Sequence, residues 1–172
     1  MCGVDPAAIV MMKQNILFGL LAGALFFSAC GSDVLYKAEK SIPNAQWAYK
    51  DTLDFSFAVS DTQALYKIAV QFEYADTFPT QNIYAKFYTR FPDGKRLTKP
   101  LSFDFFDPEG KVIGKCSGHT CSTEITIQEN AFFEKPGQYL ITLEQYCRVD
   151  PLPGLKTVGL SVEKTGKKNK RN

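Results

Sequence analysis

Tyr66-Lys67-Ile68-Ala69-Val70-Gln71-Phe72-Glu73-Tyr74 places an apolar or aromatic side chain at every second position, with Lys67, Gln71 and Glu73 among the residues between. Successive side chains of a strand point to opposite faces, so this period of two predicts a strand with one face in a core and the other toward solvent. The period continues on both sides. Leu53, Phe55, Phe57 and Val59 alternate with Asp54, Ser56, Ala58 and Ser60, and Ile83, Ala85, Phe87 and Thr89 alternate with Tyr84, Lys86, Tyr88 and Arg90. Shorter runs follow at Leu101, Phe103 and Phe105, at Val112-Ile113, at Ile125 and Ile127, at Tyr139, Ile141 and Leu143, and at Val158, Leu160 and Val162.

Turn chemistry separates these runs. Pro92-Asp93-Gly94, Asp107-Pro108-Glu109-Gly110 and Pro136-Gly137 each combine a fixed φ with residues that favour reversal. No helix-period run of useful length competes. About eight short strands without intervening helices predict an all-β fold, an antiparallel Greek-key β-sandwich. Its expected core is Phe55, Phe57, Ile68, Val70, Phe72, Phe87, Phe103, Phe105, Ile125, Ile127, Tyr139, Ile141, Leu143, Val158 and Leu160. Tyr139, two residues after a glycine at a strand start, fits the tyrosine corner of such sandwiches.

Residues 1–29 read as a signal peptide. Lys13 opens an apolar run over 16–27 that closes on Ser28-Ala29-Cys30. At helical rise the run is about 18 Å long, short of the roughly 30 Å hydrocarbon core a permanent span must cross. Phe27-Ser28-Ala29-Cys30 resembles the lipobox of bacterial lipoproteins with phenylalanine where leucine is usual. The expectation is that Cys30 is lipidated and becomes the mature N-terminus. Met12-Lys13 fits a translation start, which makes 1–11 an upstream extension. Residues 30–50 are expected as a lipidated tether ending in an aromatic anchor at Trp47 and Tyr49, residues 51–164 as one sandwich domain, and residues 165–172 as a basic disordered tail. The tail's alternative role is contact with lipid phosphates or an acidic partner.

Without Lys13 and Asp5 the mature part carries 19 basic and 17 acidic residues, four of the basic ones in the tail, and so has no basic face for nucleic acid. An exported chain meets a disulfide-permissive compartment, where Cys116 and Cys121 are the natural pair. Closing so short a loop adds roughly 2 kcal/mol in the chain-entropy treatment. The competing reading is a metal site built from both thiols and His119, which lacks an evident fourth ligand. Cys147 is expected to stay reduced, buried in the strand that begins at Tyr139.

His119 is the chain's single histidine, and no nucleophile elbow, zinc-binding helix or phosphate loop accompanies it. Asp104, Asp107 and Glu109 cluster in sequence, but Asp104 falls in a strand and the other two flank Pro108 in a turn, where acids serve the backbone. No catalytic residue, metal or cofactor is expected. Tyr84 and Tyr88 are candidates for an exposed contact patch, against ordinary cross-strand packing.

Ile42-Pro43 with Gln46-Trp47, Asp54-Phe55-Ser56-Phe57, Phe91-Pro92-Asp93-Gly94, Pro136-Gly137-Gln138-Tyr139, Glu144-Gln145-Tyr146-Cys147-Arg148 and Leu152-Pro153-Gly154-Leu155 resemble, in order and spacing, the GldH-type gliding-motility lipoproteins of Bacteroidetes. The cysteine pair departs from that pattern, as does Cys147, where methionine is common. The resemblance implies a cell-envelope lipoprotein, an outer-membrane one with the periplasmic side favoured, working beside other envelope proteins in gliding and in secretion of surface adhesins. The alternative is a β-sandwich lipoprotein that binds a glycan or another ligand.

Overall fold

A computed structural model describes residues 33–169, and Cys30 with the rest of the signal region lies outside them. The strands are β1 (Val34–Ser41), β2 (Gln46–Trp47), β3 (Leu53–Val59), β4 (Ala64–Ala75), β5 (Asn82–Arg90), β6 (Arg96–Asp104), β7 (Lys115–Ser117), β8 (Thr120–Ala131), β9 (Gly137–Gln145), β10 (Leu152–Pro153) and β11 (Leu155–Lys168). One sheet runs β1-β11-β4-β8-β7 and the other β3-β9-β5-β6, with a two-stranded β2-β10 patch beside them. All pairings are antiparallel. The order β1-β11-β4-β8 over β3-β9-β5-β6 is that of a jelly roll, the two-Greek-key form of the expected sandwich.

Alternation does what the sequence says. In β3 the burial pattern is strictly in and out, with Leu53, Phe55, Phe57 and Val59 inside. Aromatic side chains join the sheets. Phe72 of β4 meets Phe103 at 4.9 Å and the following Phe105 at 5.2 Å, both edge-on, and Tyr74 stacks on Phe105 at 4.6 Å. Toward the other end Tyr66 meets Phe133 at 5.1 Å, and Phe133 meets Tyr139 at 4.7 Å. The Tyr139 hydroxyl donates to the Lys135 carbonyl at 2.8 Å, four residues upstream, which completes the tyrosine corner. Gly137 there has φ +136°, and a Cβ would stand 2.9 Å from Pro92, so only glycine lets the 132–136 loop close on the β5–β6 turn.

Several expectations are corrected. The segment read as a tether supplies β1, which pairs with β11 from Val34↔Glu163 to Ser41↔Thr157. It escaped notice because an edge strand covered on one face has weak alternation, and its residues are exposed or at most half-buried. Thr165–Lys168 belongs to β11 rather than to a disordered tail, and the Thr165 hydroxyl donates to the Leu65 carbonyl at 3.1 Å. Val112 makes one isolated bridge to Phe106 in place of a strand. β6 begins at Arg96, ahead of the apolar run that marked it. Cys116 and Cys121 face each other across the β7–β8 hairpin with their sulfurs joined at 1.96 Å.

Ile125 and Ile127, expected in the core, are only half-buried. Register shifts between β4 and β8 fall at Ile68, where Gln128 and then Thr126 are the partners and Ile127 has none. Such a bulge bends and twists the strand that carries it. Across the sandwich, Leu97, Lys99 and Leu101 share the inward parity of buried Phe103, yet they too stay accessible. The two sheets are therefore closed on the β1/β3 side, where Tyr36 and Phe57 meet at 5.3 Å, and parted on the β6/β8 side by a cleft of about 520 Å³.

Phe72→Ala should cost about 3 to 5 kcal/mol, the range for emptying a buried aromatic site. Tyr139→Phe keeps its ring and should cost about 1 kcal/mol, the worth of one hydrogen bond. Urea midpoints measure both, and a Phe72→Ala protein as stable as the parent would contradict the sheet-to-sheet packing.

Candidate contact surface

Antiparallel pairing gives the jelly roll two distinct ends. One carries the start of β1, the β5–β6 turn and the 132–136 loop; the other carries the start of β5, the end of β9 and the segment between β2 and β3. At the second end four large side chains stay exposed within one neighbourhood: Tyr49 (43%), Tyr84 (49%), Tyr146 (54%) and Val149 (52%).

Backbone contacts hold them together. Tyr146 N–H donates to the Tyr84 carbonyl at 2.9 Å. The Tyr49 hydroxyl donates to the Cys147 carbonyl, and Tyr49 N–H donates to Asp150 Oδ1 at 2.9 Å. Buried Gln145 organises the loop below: its amide donates to Trp47 and Val149 carbonyls at 3.3 and 2.9 Å while its oxygen accepts Cys147 N–H at 2.6 Å. Lys86 Nζ lies 4.3 Å from the centre of the Tyr146 ring, a cation–π contact that fixes the ring at the surface.

Of the two tyrosines read from the sequence, only Tyr84 joins this surface. Tyr88 is half-buried, and its hydroxyl donates to Glu144 Oε2 at 2.6 Å. Tyr146, Tyr49 and Val149 were missed because their adjacency depends on contacts spanning about a hundred residues of chain, with Gln145 as the sole local hint. Cys147 is corrected as well: it lies beyond the end of β9, half-buried, with its sulfur against the backbone of Tyr84 at 3.4 Å. Burial pushes its thiol pKa up, and hydrogen bonds to the sulfur offset part of that rise.

The residues considered for chemistry do not converge. His119 Nδ1 lies 2.9 Å from Asp76 Oδ2 on the β7–β8 hairpin, but its ring is 95% exposed. Asp107 accepts Lys111 N–H at 2.7 Å and so serves its own turn. Asp104 closes β6, paired with Asn82, and Glu109 is exposed in the next turn. Among the described residues no three His, Cys, Asp or Glu side chains form a metal-holding group.

Among the described cysteines of the unreduced protein, iodoacetamide should label Cys147 and not Cys116 or Cys121. Its folded pKa lies above the unfolded one, so the linked stability is whole below about pH 8.5, the ordinary thiol value, and is lost as pH rises through the folded value. Folded Cys147 should accordingly need a higher pH for labelling than urea-unfolded protein. Equal pH profiles, or label on Cys116, would contradict this placement.

Comparison with known proteins adds the lineage. The chain is 23% identical over 162 residues to a gliding motility lipoprotein GldH homolog of Christiangramia forsetii, covering 90% of this chain and 99% of that protein. It is 24% identical over 160 residues to the gliding motility lipoprotein GldH of Flavobacterium johnsoniae, covering 89% and 98%. Among solved structures, a carbohydrate-binding module specific for non-crystalline cellulose aligns with a TM-score of 0.43 at 13% identity over 76% of this chain and 73% of that one, a likeness too slight to carry an argument. The profile of the GldH lipoprotein family matches residues 34–162, from the first strand into the last, and the chain therefore belongs to that family.

Proposed function

We propose that this protein is a lipid-anchored part of the cell envelope, held at Cys30 in the outer membrane on its periplasmic side, that works by non-covalent protein contact within gliding and adhesin-secretion machinery and turns over no substrate. Family membership supports the lipoprotein and motility parts of this reading. The contact part rests on one observation, the exposed cluster of Tyr49, Tyr84, Tyr146 and Val149. Tyrosines offer large, stiff, amphipathic area and are enriched where proteins meet. Arg148 and Lys86 beside them suit a partner surface with carboxylates among its apolar groups. The Cys116–Cys121 link fits the oxidising compartment that this location supplies.

In a deletion strain, Tyr84→Asp with Tyr146→Asp should abolish gliding or surface delivery of adhesins while the protein stays folded and membrane-bound. Cys30→Ser should release the protein from the membrane or stall its precursor. His119→Ala, Asp104→Ala and Glu109→Ala should each remain active. Inactivity of those three folded variants, with an active double aspartate variant, would replace contact by a catalytic or metal-dependent role.

A further inference from the structure

The cleft between β6 and β8 lies apart from the aromatic cluster and opens toward the opposite end of the jelly roll. Its lining is mostly apolar, with Phe87, Phe91, Leu97, Leu101, Ile127 and Ile141 along it. At about 520 Å³ it falls within the range of sites that enclose small molecules or parts of larger ones. Leu97, on the inward face of β6, is 45% exposed with nothing in the described residues over it.

The mouth is charged. Asp93 in the β5–β6 turn accepts from Lys135 Nζ at 3.0 Å and lies 3.8 Å from Lys95 Nζ, so one carboxylate meets two ammonium groups. Lys99, on the inward face of β6, and Glu134 line the cleft as well, so three ammonium groups face two carboxylates. An apolar interior behind a mouth with surplus positive charge is the negative image of an anionic amphiphile.

Covalent reach says where such a molecule would come from. Val34 pairs with Glu163, the neighbouring Lys164 pairs with Tyr66, and Tyr66 pairs with Ala131, so β1 starts at the end of the sandwich where the cleft has its mouth. Three residues separate Cys30 from Val34, so the two Cα atoms are at most about 14 Å apart. We propose that the cleft takes an acyl chain of an anionic phospholipid from the membrane that anchors the protein, with the lipid phosphate meeting Lys95 and Lys99. This rests on the anchoring of Cys30. An acidic extended peptide is the weaker occupant, since Pro100 in mid-β6 lacks the N–H that a further strand would need.

Trp47 makes the test internal. It is the chain's one tryptophan and is fully buried at the far end, so it reports no lipid near the cleft. Full-length lipidated protein carrying Leu97→Trp is reconstituted in vesicles containing phosphatidylglycerol brominated on its acyl chains. Leu97 lies outside the buried core cluster, and circular dichroism checks the fold of the substituted protein. The added tryptophan should lose most of its emission, the parent's Trp47 none. Brominated phosphatidylcholine should quench it less, and Lys99→Glu should weaken quenching by the anionic lipid. Flotation scores the anchor separately. Protein that floats with the vesicles while Leu97→Trp stays unquenched overturns the cleft proposal and leaves the anchor standing. Competition for the cleft by an acidic peptide without lipid quenching would also overturn it.

Discussion

The antiparallel register of β1 on β11 is the constraint on which the rest depends. Val34 opposite Glu163 and Ser41 opposite Thr157 fix the direction in which the chain enters the sandwich. A strand entering the other way would present the opposite end of the jelly roll to whatever holds the N-terminal region. The same register closes the sandwich on one side only, because Tyr36 on β1 packs on Phe57 of β3. On the far side the cleft lies between β6 and β8, where a bulge at Ile127 interrupts the β4–β8 register. Closure at one edge and a cleft at the other are thus two outcomes of one strand order.

A division between the ends follows. The end where β1 begins carries the cleft mouth, with Asp93 shared by Lys95 and Lys135. Lys135, first among the causes, and the neighbouring backbone and Lys95 hold the Asp93 carboxyl below the usual carboxylate range, so this charge pattern persists through neutral pH. The opposite end carries the tyrosine cluster, organised by buried Gln145. The start of β1 and the tyrosine cluster thus lie at opposite poles of the domain.

Much of the fold was legible because burial in a two-layer sandwich imposes a period of two. Phe55, Phe72, Phe103, Ile141 and Leu160 all fell inside as that period requires. The tyrosine corner was legible too, since its glycine, tyrosine and acceptor carbonyl lie within a few residues. β1 was not: an edge strand with one covered face leaves Leu35 and Tyr36 both half-buried, and its identity depends on a partner more than a hundred residues away. Ile125 and Ile127 misled for a related reason, since alternation tells which face a residue takes but not whether a second sheet covers it. The contact surface was half legible. Tyr84 showed itself as the polar-side aromatic of a strand, whereas Tyr88 is bound to Glu144 and Tyr146 comes from a loop ordered by Gln145.

Hydrogen–deuterium exchange on the intact lipidated protein, in detergent and then in nanodiscs of anionic lipid, tests the two-pole account most directly. Residues 91–97 and 131–137 should exchange more slowly in nanodiscs, and residues 146–150 should exchange at the same rate in both. Slower exchange at 146–150 with none at 91–97 would contradict it, because the aromatic end would then be the one that meets the membrane.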